Sequence, residues 1–134
     1  MDGQKLFRIF LYLGLIGAVK GVLLFMITCR IIRDEVNRLC TDATAKYSGD
    51  CVEALIQALD QPDEPFHQRN STIWALWQLG DARALPVLKG YYTGNIPQRE
   101  SLDAGISQYA LKKAIRLAGG GLNLTRWMWE VEEK

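Results

Sequence analysis

A chain of 134 residues is the size of one domain and can bury only a modest core. Sixteen lysines and arginines against fifteen acidic residues give a formal charge of +1, so no strong net field attracts nucleic acid or repels a membrane. The chain has three cysteines, Cys29, Cys40 and Cys51, and one histidine, His67. These numbers argue against a disulfide framework and against a cysteine–histidine zinc site. We therefore expect the cysteines to be small buried side chains whose thiols are reduced, in a part of the protein that lies in the cytoplasm.

Residues 9–29, IFLYLGLIGAVKGVLLFMITC, form an apolar run in which Lys20 is the one charge. A helix of this length just spans about 30 Å of hydrocarbon, and its apolar residues outweigh the cost of one central lysine. The sequence therefore predicts a transmembrane anchor helix within residues 1–30. Two alternatives stay open: a buried helix or hairpin that breaks near Gly17 and Gly21, and a cleaved secretory signal, although such signals usually have shorter apolar regions.

Small residues recur at helical spacing within this run: Gly14, Gly17, Ala18 and Gly21. Pairs of small residues four positions apart let membrane helices approach closely, so this face is a candidate for self-association. Lys20 has to reach the membrane interface, contact a partner helix or mark a kink. It completes the set of candidate packing residues in the membrane helix.

Cations on either side of the run set the expected orientation. Lys5 and Arg8 precede the run, and four cations follow it: Arg30, Arg33, Arg38 and Lys46. The excess on the C-terminal side favours a single-pass protein whose remaining chain is cytoplasmic, which agrees with reduced cysteines.

Beyond the run, apolar residues at helical spacing predict an all-α structure. Residues 31–49 continue the anchor as a connecting amphipathic helix. Helices follow in antiparallel consecutive pairs, near residues 51–60, 66–79, 82–92 and 105–118. Residues 120–134 carry a short apolar stripe and are predicted to cap the last pair of helices; contact with the membrane interface, where tryptophan is favoured, is the alternative.

Polar residues and glycine mark the ends of these helices. We expect Asp50 to cap the helix at 51–60, Gly80 to end the next helix, and Asp81 to cap the one after that. Pro86 lies five residues after Asp81, so we expect it inside a helix, where it removes one amide hydrogen bond and bends the axis.

Two segments of this region repeat. VEALIQAL at 52–59 aligns with ARALPVLK at 82–89, and WALWQLG at 74–80 aligns more loosely with KAIRLAG at 113–119. The second offset is longer because GNIPQRESLD at 94–103 is an inserted loop.

Residues 69–88, RNSTIWALWQLGDARALPVL, resemble the HEAT-like repeat of the phycobilisome-lyase type. In that repeat a leading arginine precedes A-L-x-x-L/I-G-D-x-R-A and a proline. The resemblance implies a short α-solenoid of about two HEAT-like helix pairs over residues 50–119. Such repeats serve widely as binding scaffolds, so the implied fold is more specific than the implied function.

Two tryptophans depart from the family pattern. Trp77 stands where the pattern has a small residue, and Trp74 stands where it has a polar residue that faces solvent. An exposed tryptophan on a repeat surface is a candidate binding hot spot, and packing under the 94–103 loop or the C-terminal segment is the alternative for Trp74. Further candidates for a partner surface are Arg69, Arg83, Tyr91 and Tyr92.

The sequence carries no phosphate-binding loop, paired histidines or G-x-S-x-G turn. Four cations, Arg99, Lys112, Lys113 and Arg116, are too few for a nucleic-acid site and indicate a solvated face. We therefore expect a membrane-anchored, non-enzymatic interaction module or scaffold, with no cofactor and an unidentified protein partner. The family resemblance implies a second hypothesis, a tetrapyrrole (bilin) lyase or chaperone-like activity. A third is a small accessory subunit of a membrane complex, in which Lys20 and the glycine face contact other membrane helices.

Overall fold

The computed structural model describes residues 2–124 and Met128, and within them the chain is all-helical, as predicted. Its elements in chain order are α1 (Gly3–Lys46), α2 (Cys51–Asp60), α3 (Phe66–Leu79), a 3-10 turn (Ala82–Ala84), α4 (Leu85–Tyr91) and α5 (Gln108–Ala118). The chain divides into two compact units, Met1–Asp34 and Glu35–Lys134, so α1 contributes residues to both.

The first unit contains the apolar part of α1. The helix is continuous through Gly17 and Gly21, where a hairpin would have to break. It is long and apolar enough to cross a membrane, and none of the residues in its most apolar window is buried. Because a signal sequence and a core helix meet the same criteria of length and composition, these properties establish only that α1 could span a membrane.

The second unit is built around α3, which packs against α2 on one side and α5 on the other, while α4 packs against α5. Every one of these helices contributes large side chains that are fully buried: Leu55, Leu59, Ile73, Leu76, Leu88 and Leu111. Burying each such side chain stabilises the fold by about 1.5–3 kcal/mol. These contacts form one continuous core.

The predicted helix ends of α2 and α3 are confirmed. Asp50 accepts a hydrogen bond from the Glu53 amide at 2.9 Å, and the Glu53 carboxylate accepts one from the Asp50 amide at 3.2 Å, which is a complete capping box. Gly80 ends α3 with φ at 62°, a left-handed conformation that favours glycine. Asp81 accepts a hydrogen bond from the Arg83 amide at 2.8 Å and caps the 3-10 turn.

The bend expected at Pro86 is wrong. The residues after Asp81 form the 3-10 turn, and α4 begins only at Leu85, so Pro86 lies in the first turn of α4. An amide in that turn has no partner within the helix, and proline is therefore tolerated there. The 3-10 turn delays the start of the helix and makes α4 shorter than the predicted span of 82–92.

The expectation of three reduced thiols is also wrong. Cys40 in α1 and Cys51 at the start of α2 form a disulfide, with their Cα atoms 5.0 Å apart. Gly49, with φ at 105°, reverses the chain between the two helices. The break at Gly49 therefore brings the two cysteines together. Cys29 is a buried free thiol.

The predicted capping segment, residues 120–134, is described only at 120–124 and Met128, and the rest of its apolar stripe lies outside the described residues. The side-chain amide of Asn123 donates to the carbonyl oxygens of Trp77 at 3.3 Å and Gln78 at 2.8 Å. This segment therefore satisfies carbonyl groups at the C-terminal end of α3, which have no partner within the helix.

Candidate partner-binding groove

A groove of about 620 Å³ opens on the second unit, and we call it the aromatic groove. Its floor is the face of α3 around Trp74, and its walls are the second-unit part of α1 and the segment that leads into α5. The apolar lining comprises Leu39, Trp74, Trp77, Leu102, Tyr109 and Ala110, and the polar lining comprises Glu35, His67, Asn70, Ser71, Asp103 and Ser107.

The floor of the groove is set by the position of α3. Trp74 and Trp77 are three residues apart and therefore lie on the same side of this helix. Both are half-buried and pack against the core, while Ile73 and Leu76 are fully buried. The two indoles thus have a packed inner side and an accessible outer side.

Asn70 fixes the wall of the groove that precedes α5. Its buried side-chain amide donates to the carbonyl oxygens of Leu102 and Gly105, each at 2.9 Å, and accepts a hydrogen bond from the Ser107 amide at 2.9 Å. Asn70 was not among the residues predicted from the sequence. The available signal was a polar side chain at a position of α3 that helical spacing places in the core. Because a buried amide needs hydrogen-bond partners, such a residue indicates a contact with another segment.

Glu100 holds the start of α5, next to the segment that Asn70 binds. Its carboxylate accepts hydrogen bonds from the amides of Gln108 at 2.7 Å and Tyr109 at 3.2 Å, and from the hydroxyl of Ser107. The first turn of α5 is thereby tied to the loop before it. Asn70 and Glu100 together give the groove a fixed wall.

Lys113 does not belong to a solvated face, contrary to the prediction. Its ammonium nitrogen lies 4.1 Å from the centre of the Trp77 ring and 5.6 Å from that of Tyr109. A cation over an aromatic face is attracted by the negative charge of the π-system. This contact joins α5 to α3 and orients the Trp77 indole.

Two carboxylates lie at the edge of the groove. The Arg38 side chain donates to Glu35 at 3.1 Å and 2.5 Å, and this hydrogen bond lowers the pKa of the Glu35 carboxyl. Asp103 is exposed and forms no ion pair with the residues that the structure describes. Asp103 is therefore available to a group outside the chain.

Arg69 and Tyr91 have internal contacts. Arg69 is buried, donates from Nε to the Leu59 carbonyl at 2.9 Å and lies 5.1 Å from the centre of the Tyr91 ring. The Tyr91 hydroxyl donates to Asp60 at 2.8 Å, and burial followed by this hydrogen bond raises the pKa of Tyr91. These contacts join α3, the end of α2 and the end of α4. Tyr92 is half-buried against the same core.

Arg83 bridges two helix caps. Its guanidinium lies 2.9 Å from Asp81, 2.6 Å from Asp50 and 3.6 Å from Glu53. Hydrogen bonds to Asp81 and then to Asp50 raise the pKa of Arg83. Of the six partner-surface candidates, the structure therefore brings only Trp74 and Trp77 into the aromatic groove.

A second groove of about 530 Å³ lies between the second-unit part of α1, α2 and α3. Its charged groups are largely paired with one another: Lys46 with Glu64 at 2.9 Å, and Arg38 with Asp42 at 3.4 Å. Because these charges already satisfy each other, the aromatic groove is the stronger candidate for binding.

The membrane-packing candidates all lie on the exposed part of α1 in the first unit: Gly14, Gly17, Ala18, Lys20 and Gly21. A Cβ atom added at any of the three glycines would meet no atom of the described residues within 4 Å. This face is therefore not covered by any part of the chain that the structure describes.

Within the described part of the chain, no group of three histidine, cysteine, aspartate or glutamate side chains could hold a metal ion. Comparisons with family models, curated proteins and solved structures give no match. The HEAT-like resemblance stays a prediction, and function has to be inferred from the geometry of the groove.

Proposed function

We propose that this protein is a non-enzymatic, single-pass membrane protein whose second unit binds a protein partner in the aromatic groove. Anchoring by α1 is supported by its length and by the complete exposure of its apolar window. The observation that carries the binding proposal is the cluster of accessible aromatic and aliphatic side chains around Trp74 and Trp77.

Exposure of this cluster is unfavourable in water unless something covers it. Leu102 is 52% exposed and Tyr109 is 56% exposed, and both lie beside the two indoles. Contiguous exposed apolar side chains of this kind mark interaction sites, and tryptophan and tyrosine are enriched among residues that dominate binding energy.

Hydrogen bonds and a cation–π contact hold the groove in place, which favours binding. The hydrogen bonds of Asn70 and Glu100 fix one wall, and the contact of Lys113 with Trp77 orients the floor. A surface that is already in its bound conformation loses little conformational entropy on association. We infer that the partner presents apolar side chains to the indoles and a basic or hydrogen-bond-donating group to Asp103.

The helix contacts of the second unit support a solenoid as its architecture. Pairs form between α2 and α3 and between α4 and α5, and the pairs contact each other through α3 and α5 and through α2 and the 3-10 turn. Stacking of consecutive helix pairs is the arrangement found in solenoid proteins. We propose that the second unit is a short solenoid of two such pairs.

Affinity purification with matched variants tests the binding proposal. The full-length protein is captured from source membranes in mild detergent as wild type, Leu102→Asp and Leu122→Asp, and co-purifying proteins are quantified by mass spectrometry. Leu102 lines the groove, whereas Leu122, which is 85% exposed, does not. Both changes should alter the free energy of unfolding by no more than about 0.5 kcal/mol, because both side chains are exposed.

We expect at least one protein to be recovered with wild type and with Leu122→Asp. Its recovered amount should fall about tenfold or more with Leu102→Asp, which corresponds to a loss of over 1.4 kcal/mol of binding free energy. Equal recovery with all three forms would contradict binding in the groove.

Addition of bilin to the purified protein tests the tetrapyrrole hypothesis. A shift of the bilin absorbance that Leu102→Asp abolishes would favour tetrapyrrole binding over a protein partner.

A further inference from the structure

The disulfide between Cys40 and Cys51 bears on where the second unit folds. It joins α1 to α2 within this unit, and both cysteines are partly buried against its core. We propose that this disulfide is a permanent structural bond formed in an oxidising compartment, so that the second unit lies outside the reducing cytoplasm. If α1 is the membrane anchor of the proposed function, its N-terminus then faces the cytoplasm.

The chain between the cysteines is held in the conformation that the disulfide requires. The Cα separation of 5.0 Å falls within the range of about 4.4–6.8 Å seen for disulfides. The capping box of Asp50 and Glu53 fixes the start of α2, and the Gln57 side chain donates to the Ser48 carbonyl at 2.7 Å. Folding of this turn therefore places the two thiols side by side, which favours their oxidation over pairing with other thiols.

The bond forms by thiol–disulfide exchange with a disulfide-carrying oxidant, RSSR. The thiolate of one cysteine attacks a sulfur of RSSR and releases one RS⁻, and the second thiolate then attacks the mixed disulfide and releases the other. Two protein thiols are oxidised, one RSSR is reduced to two RSH, and two protons pass from the protein thiols to the released thiolates. Compartments that supply such oxidants lie outside the cytoplasm, whose thiol systems keep cysteines reduced.

The disulfide also separates the possible roles of α1. A secretory signal, or a membrane anchor whose N-terminus stays in the cytoplasm, delivers the following chain across a membrane, whereas a core helix of a cytoplasmic protein does not. The first two roles also agree with an apolar window in which no residue is buried. The disulfide and the exposure of α1 thus favour transfer of the second unit across a membrane.

The flanking cations taken alone favour the opposite orientation. Lys5 and Arg8 precede the apolar run, and four cations follow it within about 20 residues, the range over which the bias counts: Arg30, Arg33, Arg38 and Lys46. Two of these four, Arg38 and Lys46, belong to the second unit, where they pair with Glu35 and Glu64. Long domains cross membranes largely regardless of their charge. The proposal therefore rests on the disulfide, against a small excess of cations.

Differential alkylation of the full-length protein tests the redox state. Source cells are quenched in acid, free thiols are blocked with N-ethylmaleimide under denaturing conditions, and a maleimide–polyethylene glycol label is added with or without prior reduction. We expect wild type to gain two labels after reduction and none without it. Cys29→Ser, the matched control, should also gain two labels, whereas Cys40→Ser should gain none.

Wild-type protein that gains no label after reduction would overturn the proposal, and this readout does not depend on whether any variant folds. A second arm tests the compartment: trypsin is added to right-side-out vesicles from the source cells, and an epitope at the C-terminus is followed. Digestion is expected, and protection that ends only when detergent is added would also overturn the proposal.

Alkaline extraction of the same membranes distinguishes this proposal from the anchoring in the proposed function. A disulfide-bonded protein that stays in the membrane pellet supports both. Release into the supernatant with the disulfide intact contradicts anchoring and supports an oxidising compartment. Retention in the pellet with three free thiols supports anchoring and overturns the disulfide proposal.

Discussion

Loss of the Cys40–Cys51 disulfide should lower the melting temperature of the second unit by roughly 12–24 °C. The bond closes a loop across 11 positions of sequence. Cross-linking a loop of this size removes conformational entropy from the unfolded chain that is worth about 3 kcal/mol at 25 °C. For a unit of about 100 residues, 1 kcal/mol corresponds to about 4–8 °C, which gives the predicted range.

Among the described residues, few other polar contacts hold the C-terminal end of α1 to the rest of the second unit. Glu64 binds Lys46 at 2.9 Å and accepts a hydrogen bond from the Tyr47 hydroxyl at 3.3 Å. The Lys46 side chain is 58% exposed, so solvent screens this ion pair, and exposed pairs contribute only about 0–1 kcal/mol. These contacts cannot replace the disulfide, and we expect most of the predicted loss to be observed.

Tryptophan fluorescence measures this change without interference from the apolar part of α1, because all four tryptophans follow residue 34 in the sequence. The full-length chain is melted in detergent micelles as oxidised protein, as reduced protein and as the double variant Cys40→Ala/Cys51→Ala. Cys29→Ser is the control for substitution of a buried thiol and should keep its response to reductant. Coincident melts of oxidised and reduced wild type would refute the loop-entropy reasoning.

Two further predictions concern packing and pH. Leu76→Ala should lower the free energy of unfolding by about 2–5 kcal/mol in denaturant titrations, because this side chain is fully buried in the core, and a change below about 1 kcal/mol would contradict that burial. The hydrogen bond from the Glu53 amide lowers the pKa of Asp50, so the ionised carboxylate stabilises the fold above the ordinary pKa. Stability should therefore fall as the pH drops below about 4, and Asp50→Asn should reduce this part of the acid dependence, as pH-resolved melts would show.

The sequence predicts helices well where their ends depend on local signals. The bounds of α2 and α3 match the predicted 51–60 and 66–79, because Asp50 and Gly80 act through hydrogen bonds and dihedral angles within a few residues. Pro86 shows the limit of such reasoning. Whether the residues after a cap form an α-helix or a 3-10 turn depends on packing against neighbouring helices, which periodicity does not reveal.

The aromatic groove was only partly predictable, because its walls come from segments distant in sequence. Trp74 and Trp77 stand out as departures from a repeat pattern, yet Leu39 and Leu102 give no local sign that they lie beside them. The disulfide was missed for a related reason. Two cysteines eleven residues apart come into contact only because the chain reverses at Gly49, and their spacing alone does not reveal this.

The groove and the disulfide are connected through α1. Leu39 lines the aromatic groove, and the next residue, Cys40, is bonded to Cys51 at the start of α2. The disulfide therefore holds one wall of the groove in place, and a fixed wall lowers the entropic cost of binding. Because disulfides form and persist in oxidising compartments, we expect the complete groove in the same compartment as the disulfide. The proposed partner is then a protein whose apolar segment is exposed on that side of the membrane.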